Sequence, residues 1–345
     1  MAPRTNDDGP CGPESPYIFG LYRYLTLELG WNVKVVIPSS QKSWIGQAYQ
    51  IADTVKGRYY YPQEPYGHGE TSQTSRPLKE GEIAEWILLD SVGVFIPFPN
   101  KWISCYFFQT PATCANVALH NIYPAEIDLV ISGPNLGRNS SAALTLSSGT
   151  IGAAVSSSLS QVRAIAVSYG TVLRPTPKTL HPPAHRISAH IVKHLWENWG
   201  KDEGGLRNGE VDLYNVNIPM IEQLLSEEGL QIEWTSIWRN SYGRLFKAHT
   251  ALKEGSSTAG PDSPHADPSG GSKGATDADA DDDNNLVFKF GPDFKNLINP
   301  HPSSLPEGSD GLAVAKGVIS VTPLRASFAE PPVRPEGDRV WKMKL

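Results

Sequence analysis

The chain has 345 residues, enough for one α/β domain with long insertions or for two domains. Its longest apolar runs, such as VGVFIPF at 92–98, fall short of the ~18 residues a membrane-spanning helix needs, so no membrane association is expected. The formal charge of −6 is unevenly placed: residues 254–285 hold eight acids and one base, and subtracting that segment's −7 leaves +1 for the rest, no electrostatic reason to bind DNA.

Gly and Pro number 31 and 29, above the roughly 12% of average usage, which predicts many loops. Cys11, Cys105 and Cys114 lack the spacing of a zinc site or a disulfide framework and read as reduced thiols. The start, MAPRTNDDGP, is polar and turn-like rather than a basic end with an apolar core, so the expected location is cytoplasmic.

In chain order, TNDDGP (5–10) is the first informative stretch. Asn, Asp and Gly favour left-handed and Asx-turn geometry, so the stretch is either a plain turn or a turn that forms half of a metal site. Adjacent Asp7 and Asp8 can point at one spot only from a turn, because in a strand they would face opposite sides.

SPYIFGLYRYLTLEL (15–29) then has helical spacing through Ile18, Leu21, Tyr22, Leu25 and Leu29, with Gly30 as its stop. VKVVIP (33–38), IDLVISG (127–133), AIAVSYG (164–170) and DLYNVNIP (212–219) are short apolar runs, the form of strands buried on both faces. Between the second and third lies SSGTIGAAVSSSLSQ, whose small residues suit a helix packed closely on a sheet. RISAHIVKHLWENWG (186–200) carries a stripe of Ile187, Ile191, Leu195 and Trp199. The 254–285 segment has no aromatic and no aliphatic larger than Ala, so it reads as a disordered acidic loop. Its DADAD run is not a calcium loop, since Asp282 stands where Gly is needed and Phe288 where Glu is needed.

Strands separated by helices predict an α/β fold, a mostly parallel sheet with ligands at the carboxyl ends of the strands. VKVVIP delivers Ser39, Ser40, Gln41, Lys42 and Ser43 there, and IDLVISG delivers Asn135, Arg138 and Asn139. The Ser-Ser-Gly-Thr start of the next helix offers N–H groups and hydroxyls suited to a phosphate. If TNDDGP follows a first strand, Asp7 and Asp8 join this edge, and a small set of hard oxygen ligands suits Mg²⁺ or Mn²⁺.

NDDGP (6–10), VVIPSSQKSWIG (35–46), TPATC (110–114), DLVISGPNLGRNSS (128–141), SSGTIGAA (147–154), AIAVSYG, NVNIP (215–219) and VISVTPL (318–324) together resemble the SurE survival-protein family in its longer fungal form. The resemblance implies a Rossmann-like, three-layer α/β fold with a smaller C-terminal extension used in subunit pairing, hence a homodimer or homotetramer. It implies a metal-dependent hydrolase that removes phosphate from nucleoside monophosphates, with Asp7, Asp8, Ser43 and Asn135 as metal ligands. Asn139, Ser148, Gly149 and Thr150 are the candidates for holding phosphate oxygens, and Asp7, Asp8 and Asn139 the candidates for catalysis. The ion would act as a Lewis acid and lower the pKa of water bound to it. A broad phosphomonoesterase of the acid-phosphatase kind, and an inactive paralogue that binds nucleotides or oligomerises, are the rival readings.

His190 and His194 stand four apart on one helix but lack an H-E-x-x-H pattern, and read as structural. Arg138 fits a phosphate contact and an acid pair equally, and the aromatics of WTSIWRNSYGRLF (234–246) read as packing rather than base-stacking residues. The expected division is one domain over 1–253, the acidic loop 254–285 and a C-terminal part, 286–345, of the same domain that serves oligomerisation. Two departures from the family stand out. Only Met1 to Arg4 precede Thr5, so the opening strand is expected to be missing, and SVGVFIPFPNKWISCYFFQ (91–109), with six aromatics in 19 residues, reads as an insertion from a retained intron or a faulty gene model.

Overall fold

Ala2–Thr5 forms a strand, β1, paired in parallel with strands on both sides, so the opening strand expected to be missing is present. Four residues suffice because both neighbours contribute hydrogen-bonding partners, even though Pro3 has no N–H to donate. The computed structural model describes residues 2–6, 8–51, 53–92, 96–98, 101–103, 110–171, 176–248, 287–292 and 300–329. The acidic segment 254–285, Cys105 and most of the suspect insertion lie outside the described residues.

After β1 come α1 (Ile18–Arg23, continued by a π-helical turn Tyr24–Glu28), β2 (Val33–Pro38), β3 (Thr54–Pro62), β4 (Gly69–Ser72) and β5 (Trp86–Val92). A short antiparallel pair follows, β6 (Ile96–Phe98) and β7 (Lys101–Ile103). Next are α2 (Pro111–Val117), β8 (Leu129–Leu136), α3 (Ala142–Ser147), α4 (Gly149–Leu159) and β9 (Arg163–Thr171). The chain continues through α5 (His181–Glu197), β10 (Leu213–Met220), β11 (Ile232–Trp234), β12 (Phe246–Ala248), β13 (Phe288–Phe290), α6 (Asp310–Ala315) and β14 (Ile319–Leu324).

Ten strands make one sheet in the order β11-β14-β10-β9-β8-β1-β2-β5-β3-β4. Pairing is parallel from β10 through β9, β8, β1 and β2 to β5, and antiparallel at β10–β14, β5–β3 and β3–β4. The expected α/β fold with a mostly parallel sheet is therefore present, and β12–β13 is a separate hairpin.

The two faces of the sheet carry different side chains because strand residues alternate sides. On β9, Ile165, Val167 and Tyr169 join the large core under α1 and α5, with Leu21, Leu25, Ile191 and Leu195. Ala164 and Ala166, on the other side, meet Ile151 and Ala154 of α4. Small residues on both partners let α4 lie close to the sheet, and its Ser157 and Ser158 hydroxyls return hydrogen bonds to Ala153 and Ala154 carbonyls. α5 begins five residues earlier than its stripe predicts, with Pro182 and Pro183 in the first turn, where a missing N–H costs nothing. Among the described residues the C-terminal part has no separate core: β14 enters the sheet beside β10, and α6 packs against both strands.

Candidate functional site

The turn after β1 is held by Asn6. Its Oδ1 accepts from Gly9 N at 3.2 Å, and its Nδ2 donates to Gly9 O at 3.1 Å and Ser15 Oγ at 2.9 Å. Gly9 has φ +83°, and a side chain there would sit 3.2 Å from the Ser40 backbone, so glycine lets this turn press against the loop that leaves β2. Asp7 lies outside the described residues. Asp8 is 3% exposed, and its Oδ2 accepts from Leu136 N at 2.9 Å. That bond ties the end of β1 to the end of β8, directly beside Asn135. The Asn135 amide donates to Gly137 O at 2.9 Å, which leaves its Oδ1 as the side chain's acceptor. β8 runs on to Leu136 through a register shift between Ser132 and Asn135, carrying Asn135 to the edge.

The loop after β2 is pinned to the start of α4. Gly46 N donates to Ser147 O at 2.8 Å, and a Cβ on Gly152 would lie 2.3 Å from Gly46 O, so this approach requires glycine. Ser43 in this loop is exposed, and Trp44 beside it has φ +62°. Lys42 is half-buried, and burial lowers its pKa to about 8 against the opposing pull of Asp90. Asp90 also accepts from Ser39 Oγ and lies 3.4 Å from Arg58 Nη2. At the helix start, Ser148 Oγ accepts from Ile151 N at 3.2 Å, and Gly149 and Thr150 form a buried first turn. The first N–H groups of such a turn face outward along the axis and favour an anion.

Asn139 is clamped from two strands, β9 and β10. Its N–H donates to Asn217 Oδ1 at 2.7 Å, its carbonyl accepts from Asn215 Nδ2 at 2.8 Å, and its Nδ2 donates to Ser168 Oγ at 2.8 Å. Asn215 and Asn217, two apart on β10, share one face of the strand. One amide hydrogen of Asn139 remains for a ligand, but its backbone N–H is already used. Two residues on, Ser141 has φ +80° and donates its N–H to Asp310 Oδ2 at 2.8 Å. Asp310 is fully buried; its Oδ1 accepts from Trp238 N at 2.9 Å and Gly311 N at 2.7 Å. Burial pushes its carboxyl pKa up, and these backbone N–H bonds pull it down.

The structure thus brings Asp8 and Asn135 to adjacent strand ends and seats the Ser43 loop on the start of α4. Asp8, Asn135 and Ser43 offer carboxylate, amide and hydroxyl oxygens, a donor set that fits a hard divalent cation with water completing the shell. Among the described residues no cluster of three or more His, Cys, Asp or Glu side chains could hold a metal, so soft or imidazole-rich coordination has no counterpart there.

His190 and His194 lie on the exposed side of α5. Arg138 Nη2 donates to Thr171 O at 3.4 Å. Cys114 is fully buried, which pushes its thiol pKa up, and Cys11 is half-buried. The aromatics of residues 234–246 pack to different degrees, Trp234 meeting Tyr214 with ring centroids 5.9 Å apart. Trp238 lies against Gly311, but Trp234, Tyr242 and Phe246 are exposed, because the short strand β11 is the sheet edge and β12 is outside the sheet.

Asn215, Asn217, Ser168 and Asp310 are the functional neighbours that sequence reasoning missed. NVNIP carried a signal, two polar residues alternating inside a strand buried along its length, which is costly unless each is bonded. Asp310 carried none, since an Asp at the first position of a helix is ordinary.

Fold and site define an α/β protein with a cluster of oxygen donors at its strand ends and a helix start beside it. The survival protein SurE family matches residues 4–244, and the chain belongs to that family. It is 24% identical to a protein named 5′-nucleotidase SurE from Nitratidesulfovibrio vulgaris (strain DP4), over 94% of this chain and 93% of the relative. It is 33% identical to the 5′-nucleotidase SurE of Synechocystis sp., over 48% of this chain and 53% of the relative. A yeast protein named probable tubulin–tyrosine ligase PBY1, from Saccharomyces cerevisiae, is 29% identical over 94% of this chain, which spans only 40% of that protein's length. The crystal structure of the SurE protein from Aquifex aeolicus shares the fold, with a TM-score of 0.53 and 19% identity over 95% of this chain and 94% of that one. No helix among the described residues is long and apolar enough to cross a membrane.

Proposed function

We propose that the chain is a metal-dependent phosphomonoesterase that hydrolyses nucleoside monophosphates to nucleoside and phosphate. The observation that carries this reading is the Asp8–Leu136 bond, which sets a buried carboxylate beside Asn135 at neighbouring strand ends. The name 5′-nucleotidase among the relatives supports the substrate class.

In this reading Asp7, Asp8, Ser43 and Asn135 would hold Mg²⁺ or Mn²⁺, which supplies Lewis-acid polarisation of a phosphoryl oxygen and activation of water. Asp8 contributes negative charge from a fixed position, because its second oxygen is bonded to Leu136 N. Ser43 and Asn135 are neutral donors, so the pair of aspartates does not repel a phosphate dianion from a neutralised site. The start of α4 at Ser148, Gly149 and Thr150 would receive the phosphate oxygens, and Asn139 would add its remaining amide hydrogen. The C-terminal part is assigned to subunit pairing and the protein to the cytoplasm on the same reading.

Purified protein assayed with Mg²⁺ or Mn²⁺ against nucleoside monophosphates and an aryl phosphate tests this. The expected result is nucleoside monophosphate turnover that a chelator abolishes and that exceeds aryl phosphate turnover. Equal rates on both substrates would point to a broad phosphatase, and no turnover with either metal would remove the enzymatic reading.

A further inference from the structure

The exposed loop that carries Ser43 continues into a cluster of rings. Trp44 and Tyr242 have ring centroids 6.0 Å apart, Trp44 and Phe290 5.4 Å, and Phe246 and Phe290 5.6 Å. Tyr242, Phe246 and Phe290 are all exposed, unlike the core aromatics under α1 and α5. Three bonds fix this cluster to α3. Ala142 N donates to Trp238 O at 2.8 Å, Ala143 N to Asn240 Oδ1 at 2.8 Å, and Tyr242 OH to Ala143 O at 2.7 Å. Trp44 packs on Ala143 and Leu144 of the same helix.

α3 has six residues, about 9 Å of helix, and leads straight into Ser148 and the phosphate-binding turn of α4. The α3 residues that hold the rings, Ala142 to Leu144, are therefore separated from that turn by no more than the helix's length of about 9 Å, the scale of a nucleoside. Trp44 also has φ +62°, a conformation that is costly for a bulky side chain and is found where surrounding structure imposes it, often at functional sites.

We infer that Trp44, Tyr242 and Phe290 form the subsite that receives the nucleobase of the substrate. This rests on the phosphomonoesterase reading and adds to it which residues set the preference for a nucleoside. Aromatic faces stack any base, since each base has a π-face, so the subsite favours nucleotides over simple phosphate esters without selecting one base strongly.

The test compares adenosine 5′-monophosphate with ribose 5-phosphate, which presents the same ester without a base. In Phe290→Ala the ratio of kcat/KM for the two substrates should fall about tenfold, mainly through KM for the nucleotide. Phe328→Ala, which removes an exposed ring outside the cluster, should retain the ratio. An unchanged ratio in Phe290→Ala, or an equal fall on both substrates, would overturn the assignment. So would a drop in sedimentation mass with the ratio intact, which would make the rings a contact between copies of the chain. If the wild-type protein turns over neither ester, the enzymatic reading fails separately, and calorimetry decides the subsite. Tighter binding of adenosine 5′-monophosphate than of ribose 5-phosphate, lost in Phe290→Ala, supports it, and equal binding overturns it.

Discussion

On the β8–β9–β10 side of the site, Asn139, Ser168, Asn215, Asn217 and Asp310 are buried and bonded to one another or to backbone N–H and C=O groups. On the β2 side, Ser43 is exposed, on a loop tied down at its two ends, where Ser39 N donates to Leu89 O at 3.2 Å and Gly46 N to Ser147 O at 2.8 Å, with Trp44 packed on α3. The first side is a rigid cradle in which removing one partner strands another in a dry interior. The second is an open wall, where the exposed Ser43 side chain can change without stranding a buried partner. Fixed donors suit an anion of constant shape, and an exposed wall suits a variable substituent. Asp8 stands at the junction, buried like the first side and bonded to Leu136 N at the end of β8.

Asp8→Asn breaks that junction with the largest expected effect. The amide oxygen can still accept from Leu136 N, but a charge facing the cation is gone, so turnover should fall on the order of a thousandfold while circular dichroism stays native. Wild-type turnover at saturating Mg²⁺ would return the turn to a purely structural role.

Ser43→Ala probes the open side. Metal affinity, read by titration calorimetry, should drop about ten- to a hundredfold, with thermal stability within about 0.5 kcal/mol of wild type because the residue is exposed. A large stability loss would mean that the open side is as fixed as the cradle.

Asp310→Asn probes the cradle from a residue that touches no substrate. One of three backbone N–H groups would face an NH₂ instead of an oxygen, costing about 1–3 kcal/mol in denaturant unfolding and loosening the Ser141 turn. Stability equal to wild type would show that the cradle does not depend on this carboxylate.

The smallest effect is expected away from both sides, at Glu82. Paired side-chain bonds from Arg76 hold its carboxyl pKa down to about 2, helped by Lys79 N–H. A depressed carboxylate stabilises the fold above its ordinary pKa and loses that contribution as pH falls toward 2. Glu82→Gln should therefore raise the midpoint pH of acid unfolding and leave turnover at pH 7 unchanged. An unmoved midpoint would show that the ion pair adds nothing to acid resistance.

Much of this was legible in the chain. Buried strands at 33–38 and 164–170, the small-residue helix after Ser148 and the polar loops at Ser43, Asn135 and Asn139 follow from local pattern. β1 was not legible, because four residues with a proline lack any strand signal of their own and are held by β2 and β8. The exposure of Tyr242 and Phe246 was equally hidden, since an aromatic residue carries the same side chain whether or not a partner covers it.

By itself the sequence determined the periodicities, and so which segments become helices or buried strands, and it determined which oxygen and hydroxyl donors each strand end can offer. Those are local properties, set by side-chain alternation and backbone preference over a few residues. Only the tertiary structure decided that Asp8 meets Leu136 across 128 positions, that Asn215 and Asn217 close on Asn139, and that Asp310 reaches back to Ser141. Contacts over such separations depend on strand order and register, which are fixed when the whole core is buried at once, and no short stretch of sequence encodes them alone.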